Sequence, residues 1–485
     1  MEASVRADVG RTCGFGSADG SGTEPIGSGT EKLKQDCTYN QGECSVSAKR
    51  LHVASTKVLP RGELRACMAI RIEADVVIPG SGDPIRGGCV VIDGPVITYA
   101  GTVEGSPQSG PSDRTVSVPA VMPGLWDCHT HFNGIRSVSM EEQIYTSYPL
   151  ALVRSVKDAE RVLHAGFTSI RELAGLGIYL SRAVNEGSIP GPNIYASGAA
   201  LSTTGGHGDA HAFPIEFVNI WQNQRELPGP CDGIPACLLA VRKVLRLGAS
   251  VVKVCASGGV LSDVDDPKHQ QFSDEELRAM VEEAARAERI VAAHCHGKAG
   301  IMAALRAGAK TIEHGTYLDD EAADLMLEKG AVLVPTLSIQ ALLSSDAISG
   351  LPRHMLEKAR KVRDQVQRAM RLAVRRKVPI AMGTDLGLSG DAGPLVWGSN
   401  GHELALMVEQ MGMSPMDAIR SATALGPLTL GPQAPRSGQL QPGFVADVIA
   451  VREDPLKRIG VLGEPDNILK VWKAGKLAID RASSE

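Results

Sequence analysis

An apolar run, Val121-Met-Pro-Gly-Leu-Trp-Asp-Cys-His-Thr-His131, ends in two imidazoles spaced His-x-His. On an extended strand residues i and i+2 face the same way, so His129 and His131 converge on one side. Two neutral imidazoles side by side suit a divalent transition metal such as zinc. Alone the pair is weak evidence, because polar strand ends often carry histidines that do no chemistry. Further donors strengthen it. Short β-branched runs stop at Lys253 in Val251-Val-Lys-Val, at His294 in Ile290-Val-Ala-Ala-His-Cys-His, at His314 in Thr311-Ile-Glu-His and at Asp385 in Ile380-Ala-Met-Gly-Thr-Asp. Each is followed by a turn signal. The order His-x-His, Lys, His, His, Asp on separate strand ends is hard to obtain by chance.

Four imidazoles and one carboxylate supply one negative charge, too little for two adjacent divalent ions. Lys253 stands where a bridging anion is needed, yet an ammonium with an ordinary pKa of about 10.4 repels cations. Addition of carbon dioxide to the neutral amine resolves the conflict, giving a carbamate that behaves as a long carboxylate. Burial near cations favours the neutral amine that must react. His129, His131 and Asp385 would then hold one ion and His294 and His314 the other, with carboxylated Lys253 between them. A water shared by both ions would have its pKa lowered toward ~7. Asp385 is the group to take its proton and pass it to a leaving amine, while the second ion polarises the scissile carbonyl. The expected cofactors are therefore two divalent ions, zinc by donor type.

Eight strand-like runs carry or separate these residues, at 121–131, 168–173, 193–197, 251–256, 290–296, 311–315, 332–337 and 380–385. Helical punctuation falls between them: Ser273-Asp-Glu-Glu276 is a capping box, and the helix after Asp319 stops at Gly330. Strands alternating with helices in this number predict an α/β fold, a (β/α)8 TIM barrel over 119–435, with its site at the carboxyl ends of the strands. Alternating runs at 66–118 and again at 436–485 predict a small antiparallel β-sandwich domain built from both chain ends. Two long connections interrupt the pattern, at 203–238 and 344–376. The first contains His207, His211 and Trp221 and reads as a specificity loop over the barrel mouth. Residues 1–65 are rich in Gly, Ser and Thr without sustained periodicity and read as a mobile extension. Deleting residues 1 to about 60 is expected to leave turnover and melting temperature nearly unchanged, since the segment has little apolar surface to bury; loss of folding on truncation would show that it docks.

The length of 485 residues and an apolar content of 43% allow a large core. A net charge of −5 without a basic block argues against nucleic acid or an anionic membrane as the main partner, leaving a small molecule. The ten cysteines lack zinc-ribbon spacing and read as free thiols. No apolar core of signal-peptide length opens the sequence and no run of about 18 apolar residues occurs. A cytoplasmic location is the expectation, with secretion by an unusual route as the alternative, and a homo-oligomer is the expected state.

From about residue 69 onward the sequence resembles the metal-dependent amidohydrolase superfamily, whose pattern the six residues match one for one. More narrowly, Leu125-Trp-Asp-Cys-His-Thr-His-Phe, Gly205-Gly-His-Gly-Asp, Ala256-Ser-Gly-Gly-Val, His294-Cys-His-Gly-Lys-Ala-Gly and Gly431-Pro-Gln-Ala-Pro are similar to the branch containing ochratoxinase and Xaa-Pro-type dipeptidases. That resemblance implies hydrolysis of N-acyl amino acids or dipeptides with an apolar or aromatic C-terminal residue, including ochratoxin A to ochratoxin alpha and phenylalanine. Deaminases of the superfamily place a Glu three residues after a ligand histidine, which neither His294 nor His314 has. Cyclic-amide hydrolases of the dihydroorotase or imidazolonepropionase type are the nearest enzymatic rival, and a non-catalytic scaffold relative is the alternative outside enzymes. His296 faces the same way as His294 and, with His207, is the candidate for holding a substrate carboxylate; a supporting role beside a ligand is the competing reading for both.

Overall fold

The computed structural model describes residues 68–137, 140–211, 213–225, 227–260, 262, 264–343, 353–390 and 396–481. The expected extension at 1–65 lies outside them. Sixteen strands occur among the described residues: β1 Ile70–Val77, β2 Ile85–Asp93, β3 Val96–Thr102, β4 Arg114–Pro123, β5 Leu125–Ile135, β6 Phe167–Glu172, β7 Asn193–Ala196, β8 Ala200–Leu201, β9 Val252–Cys255, β10 Val291–Cys295, β11 Thr311–His314, β12 Val332–Val334, β13 Leu386–Leu388, β14 Val448–Val451, β15 Ile468–Lys473 and β16 Lys476–Asp480.

Parallel strands form two runs, β13-β5-β6-β7 and β8-β9-β10-β11-β12. Residues 379–382, just ahead of β13, bring β12 back toward β5: Ala381 N donates to Leu333 O at 2.9 Å and Cys128 N to Met382 O at 2.9 Å. On the other side one segment pairs with β6 through β7 and with β9 through β8. The parallel arrangement is that of a TIM-like barrel, and each of the eight expected runs supplies one of its staves. Helices intervene as their caps require. Asp274–Arg286 carries the full capping box at Ser273, and Asp320–Lys329 begins at the Asp319 cap and ends on a left-handed Gly330.

The run at 121–131 is not one strand. It breaks at Gly124, so that β4 belongs to a different sheet and β5 to the barrel. A Cβ at Gly124 would come within 2.2 Å of Thr168 Oγ1, which is why this crossing point tolerates no side chain. An uninterrupted apolar run hides such a break. The other sheet has seven strands in the order β16-β15-β14-β4-β1-β2-β3 and draws on both chain ends through the β4–β14 pairing, Val121 opposite Ala450. It is one hydrogen-bonded sheet of mixed direction: β1 and β4 run parallel, contrary to the all-antiparallel expectation, because the β2–β3 hairpin lies outside β1 instead of between the two. Its apolar face buries Ile72, Val90, Val121, Val448 and Trp472 together.

Inside the barrel the end opposite the site is closed by Trp126, which stacks on Tyr195 with ring centroids 5.2 Å apart and packs with Val332, Val334, Ala381 and Leu430. This apolar plug leaves polar residues to the other end of the same strands, where the imidazoles gather.

Candidate active site

Five strand ends deliver the six sequence-predicted donors to one cavity of about 620 Å³, open mouth included. His129 and His131 come from β5, Lys253 from β9, His294 from β10, His314 from β11, and Asp385 from the turn into β13. His207 and His296 line it too, with Leu173, Val260, Ile339 and Gln340. The donors fall into two groups. In one, the ligating atoms of His129, His131 and Asp385 lie within 4.8 Å of one another; in the other, those of His294, His296 and His314 do. Asp385 Oδ1 is 3.0 Å from His131 Nε2 and 3.5 Å from His129 Nε2. Lys253 Nζ stands 3.4 Å from His129 Nε2, and the His129 and His314 rings, 5.0 Å apart, link the groups.

His129, His131, His296 and His314 are each fixed through Nδ1, which leaves Nε2 for the cavity. His129 Nδ1 donates to Glu313 Oε2 at 2.8 Å and His131 Nδ1 to the Ala174 carbonyl at 2.9 Å. His314 Nδ1 is bonded to Thr336 Oγ1 and His296 Nδ1 to Thr316 Oγ1, both at 2.7 Å. His294 differs, bonding the Gly258 carbonyl through Nε2 at 3.3 Å. Backbone conformation contributes as well. His314, Asp385, Thr336 and Ala174 all have positive φ, at 68°, 63°, 52° and 132°, which turns the chain sharply at the strand ends. The close pass of residues 383–385 over β5 is possible because position 383 is glycine; a Cβ there would sit 2.9 Å from His129 Cβ.

Burial sets the protonation states. It pulls His129 down to about 4, His207 to about 4 and His296 to about 3, and holds His294 and His314 well below the usual imidazole range. Burial also lowers the Lys253 ammonium, favouring the free amine. For Asp385 burial acts in the opposite sense, but the facing His129 and His131 outweigh it and keep the carboxyl ionised. His131 is the exception: burial lowers its pKa too, but the facing Asp385 outweighs it and raises the pKa. Imidazoles otherwise held neutral, an ionised carboxylate and a lysine biased toward its amine form a donor set that fits divalent metal ions.

The sequence reading missed the support beneath. Glu313 is buried, accepts from His129, and is gripped by Arg171 Nη2 at 2.8 and 2.9 Å, while Thr311 Oγ1 donates at 2.5 Å. Arg171 also donates through Nε to the Cys128 carbonyl at 2.6 Å. The signal was an arginine and a glutamate inside strands otherwise built of apolar and small residues, 168–173 and 311–314. Asp127 is a second support: it accepts from His129 N, Thr384 N, Thr384 Oγ1 and Asn400 Nδ2, tying β5 to the segment that carries Asp385. Of the connection at 203–238, His207 reaches the cavity, its ring stacked on His294 at 4.1 Å, whereas the indole does not. Trp221 lies on the helix Ile215–Gln224 and packs under the Arg225 guanidinium at 4.2 Å, and it does not line the cavity. A helix within that loop places it elsewhere. His211 bonds the Gly206 carbonyl at 2.8 Å and so shapes the turn that presents His207.

Comparison with known proteins agrees with this geometry. The amidohydrolase family model matches residues 120–478. The chain is 42% identical to an ochratoxinase of Aspergillus niger over 425 residues, covering 84% of this chain and 86% of that protein. The crystal structure of A. niger ochratoxinase superposes with a TM-score of 0.78 at 40% identity, covering 85% of this chain and 96% of the other. A Xaa-Pro dipeptidase crystallised with methionine in its active site superposes with a TM-score of 0.75 at 33% identity, covering 84% and 99%. Fold, donor pattern and sequence coincide: the chain belongs to the amidohydrolase family and is a hydrolase acting on amide bonds.

Proposed function

We propose that this enzyme holds two divalent ions, zinc by donor type, and cleaves the amide bond of N-acyl amino acids or dipeptides whose C-terminal residue is apolar or aromatic. The observation that carries the reading is the pair of donor groups meeting around one buried lysine biased toward its amine. His129, His131 and Asp385 would hold one ion, and His294 and His314 the other. Lys253 Nζ would attack carbon dioxide, forming an N–C bond and releasing one proton, and the resulting carbamate would bridge the sites. When bound, the ions supply Lewis acidity toward water and toward the amide carbonyl.

The chain's own groups do the rest. Asp385, kept ionised and set at a strand end, takes a proton from the attacking water at a carboxylate oxygen and hands it to the departing nitrogen. His207 and His296, neutral and lining the cavity, hold the free carboxylate of the substrate. Leu173, Val260 and Ile339 offer the apolar wall against which a side chain packs. Similarity to ochratoxinase at 42% identity supports a substrate of the same kind, ochratoxin A cut to ochratoxin alpha and phenylalanine, with dipeptidase activity beside it. The seven-stranded sheet would belong to an accessory domain of residues 66–118 and 436–485.

The test is a kinetic comparison of N-acyl-phenylalanine, its carboxamide and dihydroorotate. A preference for the free acid of at least about tenfold is expected, equivalent to one charge-assisted hydrogen bond. Preference for the cyclic amide, or indifference to the carboxylate, would overturn the assignment.

A further inference from the structure

Gln340 lines the cavity and takes no part in the chemistry described so far. It lies on the helix Leu337–Leu343, which follows β12, and is 7% exposed. Its amide oxygen is buried and meets no hydrogen-bond partner among the described residues. Buried acceptors are nearly always paired, and one left open at a ligand cavity points to a donor that arrives with the ligand. The helix that carries it is tied down. The buried Glu403 carboxylate accepts from Leu337 N at 2.7 Å, from Ser338 N at 2.6 Å and from Ser338 Oγ at 2.7 Å, capping the first turn. Ile339 beside it packs with Val260, Leu342 and Leu386. The amide is thus held at the cavity wall by a cap on one side and an apolar contact on the other, with little freedom to seek water outside.

An open acceptor selects the chemistry of its partner. A carboxylate or a carbonyl cannot donate, so the substrate carboxylate is not what the Gln340 oxygen reads. In N-acyl amino acids other than those of proline, the shared donor is the N–H of the amide itself. We propose that Gln340 accepts a hydrogen bond from the substrate amide N–H and so selects secondary amides over tertiary ones. The inference rests on the amide-hydrolase reading above and narrows it. Prolyl amides, which have no N–H, are then poor substrates for this chain.

The experiment compares kcat/KM for an N-acyl-phenylalanine and for its N-methyl analogue in the wild type, Gln340→Leu and Gln340→Met. The wild type is expected to favour the secondary amide by about 30-fold or more, because a site built to bond an N–H rejects an analogue that lacks it. Both variants should lose rate on the secondary amide only, bringing the ratio to within about threefold. Their melting temperatures should be unchanged or higher, since the oxygen removed has no partner to lose among the described residues. Equal rates on both amides in the wild type, or equal losses on both in the variants, would overturn the proposal. So would a drop of several degrees in the melting temperature of both variants, which would reveal a structural partner. If the wild type cleaves neither compound, the amide-hydrolase reading itself fails, and that result is distinct from a wild type that cleaves both alike.

Discussion

Lys253→Ala is expected to lower turnover by more than about 100-fold, beyond the 10–100-fold that follows loss of a residue supporting a metal ligand. Elemental analysis of the purified variant should find less metal than in the wild type. The reason is charge. Two cations facing four neutral imidazoles and a single carboxylate repel one another unless an anion lies between them, and Lys253 Nζ, 3.4 Å from His129 Nε2, is the buried group in position to carry one. Short carboxylic acids added to the variant should restore part of the activity by taking the vacated place. Wild-type turnover with both ions retained in Lys253→Ala would sink the bridging role of Lys253.

The second large effect concerns stability. Arg171→Met is expected to destabilise the fold by about 3–5 kcal/mol, because it strands the buried Glu313 carboxylate without its counter-charge. The double variant Arg171→Met with Glu313→Leu should recover much of that loss, and a double-mutant cycle by denaturant unfolding measures the recovery. Burial alone would raise the Glu313 pKa, but Arg171 and His129 outweigh it and hold the carboxyl at about 2, below its ordinary 4.5. A depressed folded pKa means stability that is present above the unfolded value and lost as pH falls through the folded one. The wild type should therefore weaken between pH 4.5 and about 2, along a limb that Glu313→Gln lacks. Additive single-variant losses, with no recovery in the double, would show that the two residues do not act as a pair. Loss of Glu313 should also loosen metal binding by about 10–100-fold, since it orients His129.

The donors were legible because each ends a short apolar run and because strand alternation alone places His129 beside His131 and His294 beside His296. Capping residues such as Ser273 and Gly330 made the intervening helices legible for similarly local reasons. What escaped the reading depends on contacts between distant strands. Glu313 finds Arg171 across the barrel, and nothing near either residue in sequence announces the other. The break at Gly124 is invisible in an unbroken apolar run and follows only from the approach of Thr168. Trp221 was misplaced because a Gly- and Pro-rich connection gave no warning of the helix Ile215–Gln224 inside it. The left-handed turns at His314 and Asp385 are equally silent, as neither residue type demands positive φ.

The pairing of β4 with β14 has a consequence for biosynthesis. β4 ends at Pro123 and its partner begins at Val448, so the central pairing of the seven-stranded sheet waits while the whole barrel is translated. At about 5–20 residues per second that interval lasts tens of seconds. Throughout it the nascent chain presents an unpaired edge carrying Ala120, Val121 and Met122, the kind of edge that recruits other strands. A ribosome that stalls before residue 448 releases a chain whose barrel strands are all present and whose exposed β4 makes it a substrate for chaperones or for aggregation.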